Sequence, residues 1–162
     1  MSGLAETFAE QVRLLREGAK LSQEALGDRL GLDRTVISRI ERTRPNLTMA
    51  RAAAIAEALG ASVSQVLRQA EAKDVDVEPL EREPAEELLQ RIPRSLKARR
   101  EQSELSQRQL ADRMGVDRNW VSAVESGREN VTLGTIERFA KALGCEPIEL
   151  LAKSAEAPAN RT

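Results

Sequence analysis

Arginine supplies 20 of the 25 basic side chains in this 162-residue sequence. Its planar guanidinium donates paired hydrogen bonds, which match phosphate oxygens and the O6 and N7 atoms of guanine. The sequence contains no His and a single cysteine, Cys145. It therefore lacks the usual general base and the usual zinc ligand, and it cannot form an internal disulfide. We expect a binding protein that is not an enzyme and that carries no metal or cofactor.

Several of these arginines lie in two similar segments, each of which predicts two short helices joined by a tight turn. Residues 21–41 read LSQEALGDRLGLDRTVISRIE, and residues 105–125 read LSQRQLADRMGVDRNWVSAVE. In the second segment, Ser106 and Asp117 stand where side-chain oxygens cap helix N-termini, and Gly115 can end the first helix in a left-handed turn. Such a pair of helices forms a helix-turn-helix unit, whose second helix fits the DNA major groove.

The similarity extends well beyond these segments, because residues 8–69 and 92–153 align without a gap. A repeat of this length with constant spacing indicates a duplicated domain. The predicted fold is all-α, with two tandem five-helix domains. Apolar spacing, caps and glycines predict the helices of the first copy at about Ala5–Glu17, Gln23–Leu30, Arg34–Arg42, from the cap Thr48 through Leu59, and after Ser62.

The composition changes between and after the two predicted domains, which are residues 1–70 and 92–153. Residues 71–91 are rich in acidic side chains and contain prolines. We expect a solvated acidic linker there, with one short helix at its end, and Pro93 should then begin the first helix of the second domain. The small and polar residues 154–162 predict a disordered tail.

The formal net charge of −1 averages two mildly basic copies and the acidic stretch between them. A mild charge is compatible with DNA binding where arginines cluster on one face. It argues against a non-specific coat protein, which would need a strongly basic surface. No apolar run approaches the roughly 20 residues that span a bilayer. The N-terminal MSGLAETFAEQ has no apolar signal core, and the single Cys145 fits a reducing cytoplasm. We therefore expect a cytoplasmic protein that does not associate with membranes.

Both copies resemble the phage-repressor/Cro-like helix-turn-helix domains of the XRE family of bacterial transcriptional regulators. The shared pattern is LSQ-x-x-L-x-x-x-x-G, then D-R-x-x-x-S-x-x-E, then R-x-N-x-T and a closing A-x-A-L-G. The second copy is also similar to the controller proteins of restriction–modification systems. The resemblance covers nearly everything but the linker and the tail. It implies two lambda-repressor-like domains that bind double-stranded DNA.

The resemblance also implies which residues contact DNA, and the side-chain chemistry agrees: Arg forks to guanine, Asn pairs with adenine, and a glutamine at a helix N-terminus can hold a phosphate. The positions that read bases in the family are here Arg34, Thr35, Ser38, Arg39, Arg118, Asn119, Ser122 and Ala123. The positions expected to contact the DNA backbone are Ser22, Gln23, Arg44, Asn46, Ser106, Gln107, Trp120, Arg128 and Asn130.

Some of these residues have a second interpretation. Ser38 and Ser122 can contact either the bases or the backbone, and Trp120 is alternatively a core residue. In the family, an arginine late in the first helix pairs with a glutamate at the end of the third, and such a pair orients the helices more than it stabilises them. The corresponding structural ion pairs here are Arg16–Glu41 and Arg100–Glu125.

The two copies differ after the third helix. The second copy has Ser126-Gly127, the expected helix end, whereas the first has Arg42-Thr43. A residue with a side chain must therefore take that turn in the first copy, at a cost of about 1 kcal/mol if its backbone is left-handed.

The leading hypothesis is a sequence-specific transcriptional regulator, in this family most often a repressor, in which one chain reads two non-identical half-sites. The alternative is an antitoxin or adaptor that binds a protein partner and also binds DNA. The resemblance implies a homodimer as well, since family members associate through the end of the fifth helix. The corresponding apolar positions are Val63, Val66, Leu67, Ile148, Leu150 and Leu151, and Leu14 and Leu15 add apolar surface in the first copy.

Overall fold

A computed structural model describes residues 3–71 and 83–153, and the regular elements of these two ranges are all helices. The chain divides into two compact units at Ala85/Glu86. The predicted all-α fold with two helix-turn-helix units is confirmed. The first unit contains α1 (Leu4–Gly18), α2 (Gln23–Leu30), α3 (Arg34–Thr43), α4 (Met49–Ala58) and α5 (Val63–Glu71). The second contains α6 (Ala85–Gln102), α7 (Gln107–Met114), α8 (Arg118–Glu125), α9 (Leu133–Leu143) and α10 (Pro147–Leu151).

Short-range hydrogen bonds set the ends of the helix-turn-helix helices. In the second unit, the Ser106 hydroxyl accepts the backbone N–H of Gln109 at 3.0 Å and begins α7. Gly115 ends that helix with a φ of 66°, a left-handed conformation that a residue without Cβ adopts cheaply. The Asp117 carboxylate then accepts the N–H of Asn119 at 2.7 Å and begins α8. The first unit repeats this arrangement with Ser22, Gly31 and Asp33.

Each unit has its own aliphatic core with one phenylalanine. In the first unit, Phe8 is buried together with Leu26, Ile37 and Ile55. In the second, Phe139 is buried together with Leu96, Leu110, Val121 and Ile136. Complete burial of such a side chain stabilises the folded state by about 1.5–3 kcal/mol, so these contacts fix where α3 and α8 lie in their units.

The second unit begins earlier than the predicted boundary at residue 92. We expected a linker helix that ended near residue 91 and a new helix from Pro93, but α6 runs continuously from Ala85 to Gln102. Pro93 donates no backbone hydrogen bond and costs about 3 kcal/mol inside a helix. Burial of Leu88 and Ile92, each 1% exposed on the face that Leu96 also occupies, offsets this cost.

Arg91 was expected in the linker, and the structure instead buries it to 6% exposure in the second unit. Its guanidinium donates to the carbonyl oxygens of Leu151 at 2.6 Å and Ala152 at 2.9 Å, and to the Ser95 hydroxyl at 3.2 Å. These carbonyls lie at the end of α10, where a cation is favourable. Arg91 therefore ties the last helix of the unit to α6.

The apolar residues expected to form a dimer surface lie mostly in the cores. Val63 and Val66 are fully buried, and Leu67 is 3% exposed. In the second unit, Leu150 and Leu151 are also buried. The sequence pattern could not separate a dimer surface from a core, because an apolar residue at the end of a short helix can pack against a second copy or into its own domain. The predicted linker residues 72–82 and tail residues 154–162 lie outside the described residues.

Candidate nucleic-acid interface

Arg34 and Arg118 are the first residues of α3 and α8, and both are exposed. Neither side chain makes a hydrogen bond or an ion pair with any residue in the described ranges. The N-terminus of a recognition helix is the part that contacts base edges in the major groove. The structure therefore presents two unpaired guanidinium groups at the positions that the sequence assigned to base reading.

The second residue of each recognition helix differs between the units. The Thr35 hydroxyl donates to the Asp33 carboxylate at 2.5 Å, so its methyl group and its oxygen lone pairs remain for a ligand. This side-chain bond, together with the Thr35 backbone bond, lowers the pKa of Asp33. Asn119 is exposed, and only its backbone N–H contacts the cap Asp117. Its amide is thus available for the paired hydrogen bonds that adenine accepts and donates.

The remaining predicted base-reading residues lie one turn further along each helix. Arg39 is exposed, while its neighbour Ser38 is half-buried. In the second unit, Ser122 and Ala123 are both half-buried. Residues one, two, five and six of a helix share one side, so each predicted set forms a stripe opposite the buried residues of its helix. The assignment to bases stays a prediction.

Gln23 and Gln107 lie at the first positions of α2 and α7, where backbone N–H groups lack partners within the helix. The Nε2 atom of Gln107 donates to Glu125 Oε2 at 3.0 Å, and Gln23 makes the same bond to Glu41 at 3.0 Å. An amide has two N–H donors, so the second hydrogen remains for a phosphate. These bonds were not predicted from the sequence, although the glutamine and the glutamate recur 18 residues apart in both copies.

A buried arginine orients the glutamate that holds each glutamine. Arg100 donates through Nε and Nη2 to the two carboxylate oxygens of Glu125 at 2.7 and 3.0 Å, and through Nη1 to the carbonyl oxygen of Leu105 at 2.6 Å. Arg16 and Glu41 form the same fork in the first unit, at 2.7 and 3.1 Å. Each fork joins the unit's first helix, the start of its second helix and the end of its third. It therefore fixes how the two helices of the helix-turn-helix unit are placed relative to the first helix.

The acid stability of the first unit should depend on Glu41. Burial opposes its ionisation, but hydrogen bonds from Arg16 and Gln23 outweigh burial, and the pKa of Glu41 lies below its ordinary value. A carboxyl whose pKa is lower in the folded state contributes stability above the unfolded pKa, which is lost as the pH falls through the folded pKa. We expect the free energy of unfolding to fall on acidification from pH 7, and less steeply in Glu41→Gln.

Denaturant titrations followed by circular dichroism at pH 7 and at about pH 3.5 measure this difference. The control is Glu24→Gln, which changes an exposed glutamate on α2 and should leave the pH dependence as in the wild type. Equal acid sensitivity of Glu41→Gln and the wild type would contradict the assignment.

Trp120 lies between the core and the surface of the second unit. It is half-buried, and its ring centroid is 6.0 Å from that of the buried Phe139, with an interplanar angle of 43°. The exposed Arg138 places its Cζ atom 5.9 Å from the Trp120 centroid. Both interpretations of Trp120 thus have support, because the ring packs on the buried Phe139 and is still partly exposed. Arg138 was not among the predicted site residues, and the first copy has Ala54 at its position.

The loop after the recognition helix differs between the units. In the first unit, α3 continues to Thr43, and Arg44 takes the left-handed turn with a φ of 49°. In the second, α8 ends at Glu125, and Gly127 takes the turn with a φ of 74°. The predicted non-glycine residue in a left-handed conformation is therefore present, but it is Arg44 and not Arg42 or Thr43. The remaining predicted backbone contacts in these loops are the exposed residues Asn46, Arg128 and Asn130.

Comparison with known proteins identifies the family. A family model described as a helix-turn-helix domain matches residues 7–70 and 94–152, which is more than half of the chain. Control protein C.SmaI of Serratia marcescens is 41% identical over 64 residues, which are 40% of this chain and 76% of that protein. The chain belongs to the XRE-type helix-turn-helix family of DNA-binding regulators.

Two further relatives match shorter segments. Control protein C.BamHI of Bacillus amyloliquefaciens is 43% identical over 49 residues, which are 30% of this chain and 60% of that protein. A hypothetical transcription factor of Neisseria meningitidis is 50% identical over 46 residues, which are 28% of this chain and 43% of that protein. The chain thus spans about half the length of these two relatives. No solved structure gives a significant match. Within the described ranges, no helix is long and apolar enough to cross a membrane.

Proposed function

We propose that this chain is a sequence-specific transcriptional repressor that reads a two-part operator with two unequal recognition helices. The observation that carries the proposal is an arrangement that both units share: an Arg–Glu–Gln network holds the end of a recognition helix whose first residue is an exposed, unpaired arginine. Such an arginine can donate two hydrogen bonds to one guanine. The family membership gives the class of ligand as double-stranded DNA.

The unequal half-sites follow from the residues that differ between the two stripes. Arg39 is replaced by Ala123, and Thr35 by Asn119, at equivalent positions of α3 and α8. Asn discriminates adenine by a paired contact, whereas Thr offers a methyl group to thymine. We therefore expect one guanine position in common and different neighbouring bases in the two half-sites.

Selection of bound duplexes from a random pool by the full chain tests this proposal, followed by footprinting of the enriched duplex. The expected result is two unequal protected half-sites. A single symmetric palindrome, engaged by one unit of each chain, would contradict the two-part operator. Failure to shift any duplex at low salt would contradict DNA binding itself. The repressor assignment is tested by a reporter placed downstream of the selected sequence, whose expression should fall.

A homodimer remains part of the proposal, although most of the predicted helix-5 positions are buried in their own units. Support comes from Leu14, which is 48% exposed, and from its half-buried neighbour Leu15. Equivalent positions of the second copy are Ala98 and Arg99. Light scattering of the wild type and of Leu14→Glu tests the assignment, because a charge at this position should shift a dimer towards the monomer. The adaptor alternative gains no support within the described residues.

A further inference from the structure

The loop arginine that is expected to contact the DNA backbone has different surroundings in the two units. In the first unit, Arg44 Nη1 contacts the Glu6 carboxylate, and Arg44 Nη2 lies 3.5 Å from Glu10 Oε2. Glu6 and Glu10 are one turn apart on α1, so both carboxylates can contact the same guanidinium. The three side chains are 37–44% exposed, and the cluster therefore lies on the surface.

The equivalent arginine of the second unit, Arg128, contacts a hydroxyl group. Arg128 Nε donates to the Ser126 hydroxyl at 2.9 Å, and no carboxylate of the described residues pairs with it. The positions that match Glu6 and Glu10 are Gln90 and Arg94. The loop also passes beside α6, since a Cβ added at Gly127 would lie 3.7 Å from the Pro93 side chain.

The local charge therefore differs where the two units are expected to contact phosphates. In the first unit, Glu6, Glu10, Arg44 and Arg13, which donates to Glu10 at 2.7 Å, sum to zero. The equivalent Gln90, Arg94, Arg128 and Lys97, together with Glu129 in place of Pro45, sum to +2. Phosphate contacts supply most of the non-specific affinity for DNA, and each one releases about one counterion. The Debye length at physiological salt is about 8 Å, so charges in direct contact with the arginine are screened less than more distant charges.

We propose that Glu6 and Glu10 attenuate the first unit by occupying Arg44, so that the second unit contributes the larger share of phosphate binding. This inference rests on the proposed function. An approaching phosphate must displace two carboxylates from Arg44, while Arg128 needs only to leave a neutral hydroxyl. The first unit then adds sequence information with little non-specific affinity of its own, and the second holds the chain on DNA.

The test is Glu6→Gln/Glu10→Gln in the full chain, with binding measured on one duplex recovered by the wild type from a random pool. We expect the affinity at about 0.15 M salt to rise roughly three- to tenfold. The slope of log K against log salt should become more negative by about one, because one phosphate contact is gained. Both glutamates are surface residues, and thermal melts of the variant serve as the folding control.

Two further variants test whether the gain in affinity comes from the release of Arg44 or from the general change in net charge. Arg44→Ala in the wild type should weaken binding less than twofold, while in the Glu6→Gln/Glu10→Gln background it should abolish the gain. The matched variant Gln90→Glu/Arg94→Glu should weaken binding and flatten the salt slope by more than one. The inference is overturned if the double glutamine variant binds as the wild type does, or if its gain survives Arg44→Ala. Absence of wild-type binding would instead contradict the proposed function.

Discussion

Replacing Arg100 with Met should destabilise the second unit by about 3–5 kcal/mol, the largest effect of any single change considered for this chain. The side chains of Arg100 and Glu125 are 8% and 2% exposed, so the variant leaves a carboxylate buried without its guanidinium. The carbonyl oxygen of Leu105 also loses its hydrogen-bond donor, Arg100. The Gln107 amide keeps its acceptor Glu125, but that carboxylate is no longer oriented by Arg100. A domain of about 70 residues has little stability to spare, and we expect the melting temperature of the unit to fall well below its wild-type value.

Trp120 makes the measurement specific to one unit, because it is the sole Trp and packs on Phe139 in the second core. Urea titrations followed by its fluorescence report that unit, while circular dichroism reports both. The control is Arg100→Met/Glu125→Met, which removes both charges together and should recover most of the lost stability. Equal destabilisation of the single and double variants would show that an uncompensated buried charge is not the cause.

Replacing Arg118 with Ala should weaken binding to the selected operator by about 1–3 kcal/mol and relax the preference at one base pair. The physical reason is the loss of a paired hydrogen bond to one guanine from a side chain that has no hydrogen-bond or ion-pair partner within the described residues. Duplexes altered at each position of the half-site measure the effect. Uniform weakening at every position would show that Arg118 contacts the backbone and not a base.

Gln107→Ala is the matched comparison in the same unit. It removes a neutral phosphate donor, so all sequences should weaken alike, while the salt slope should stay close to that of the wild type because no charge is lost. Arg34→Ala and Gln23→Ala repeat both changes in the first unit, where smaller losses of affinity are expected if that unit is attenuated. Loss of discrimination in Gln107→Ala would indicate that the glutamine also reads a base.

Local signals predicted the helix-turn-helix elements well. Ser106, Gly115 and Asp117 act on groups within four residues of themselves, so their roles could be inferred without knowing the rest of the fold. The start of α6 could not be inferred in this way. Proline is a local signal that favours a helix start, and burial of Leu88 and Ile92 outweighs it only once the second core exists.

The sequence by itself determined the duplication, the all-α class, the position of each recognition helix and the exposed arginine that opens it. These features depend on hydrogen bonds and apolar periodicity within one or two turns. Only the tertiary structure decided that Arg44 meets Glu6, 38 residues away, and that Gln107 meets Glu125. It also decided that Val63 and Val66 pack inside their own unit. Contacts between distant residues depend on how helices pack, and a spacing pattern along the chain does not contain that geometry.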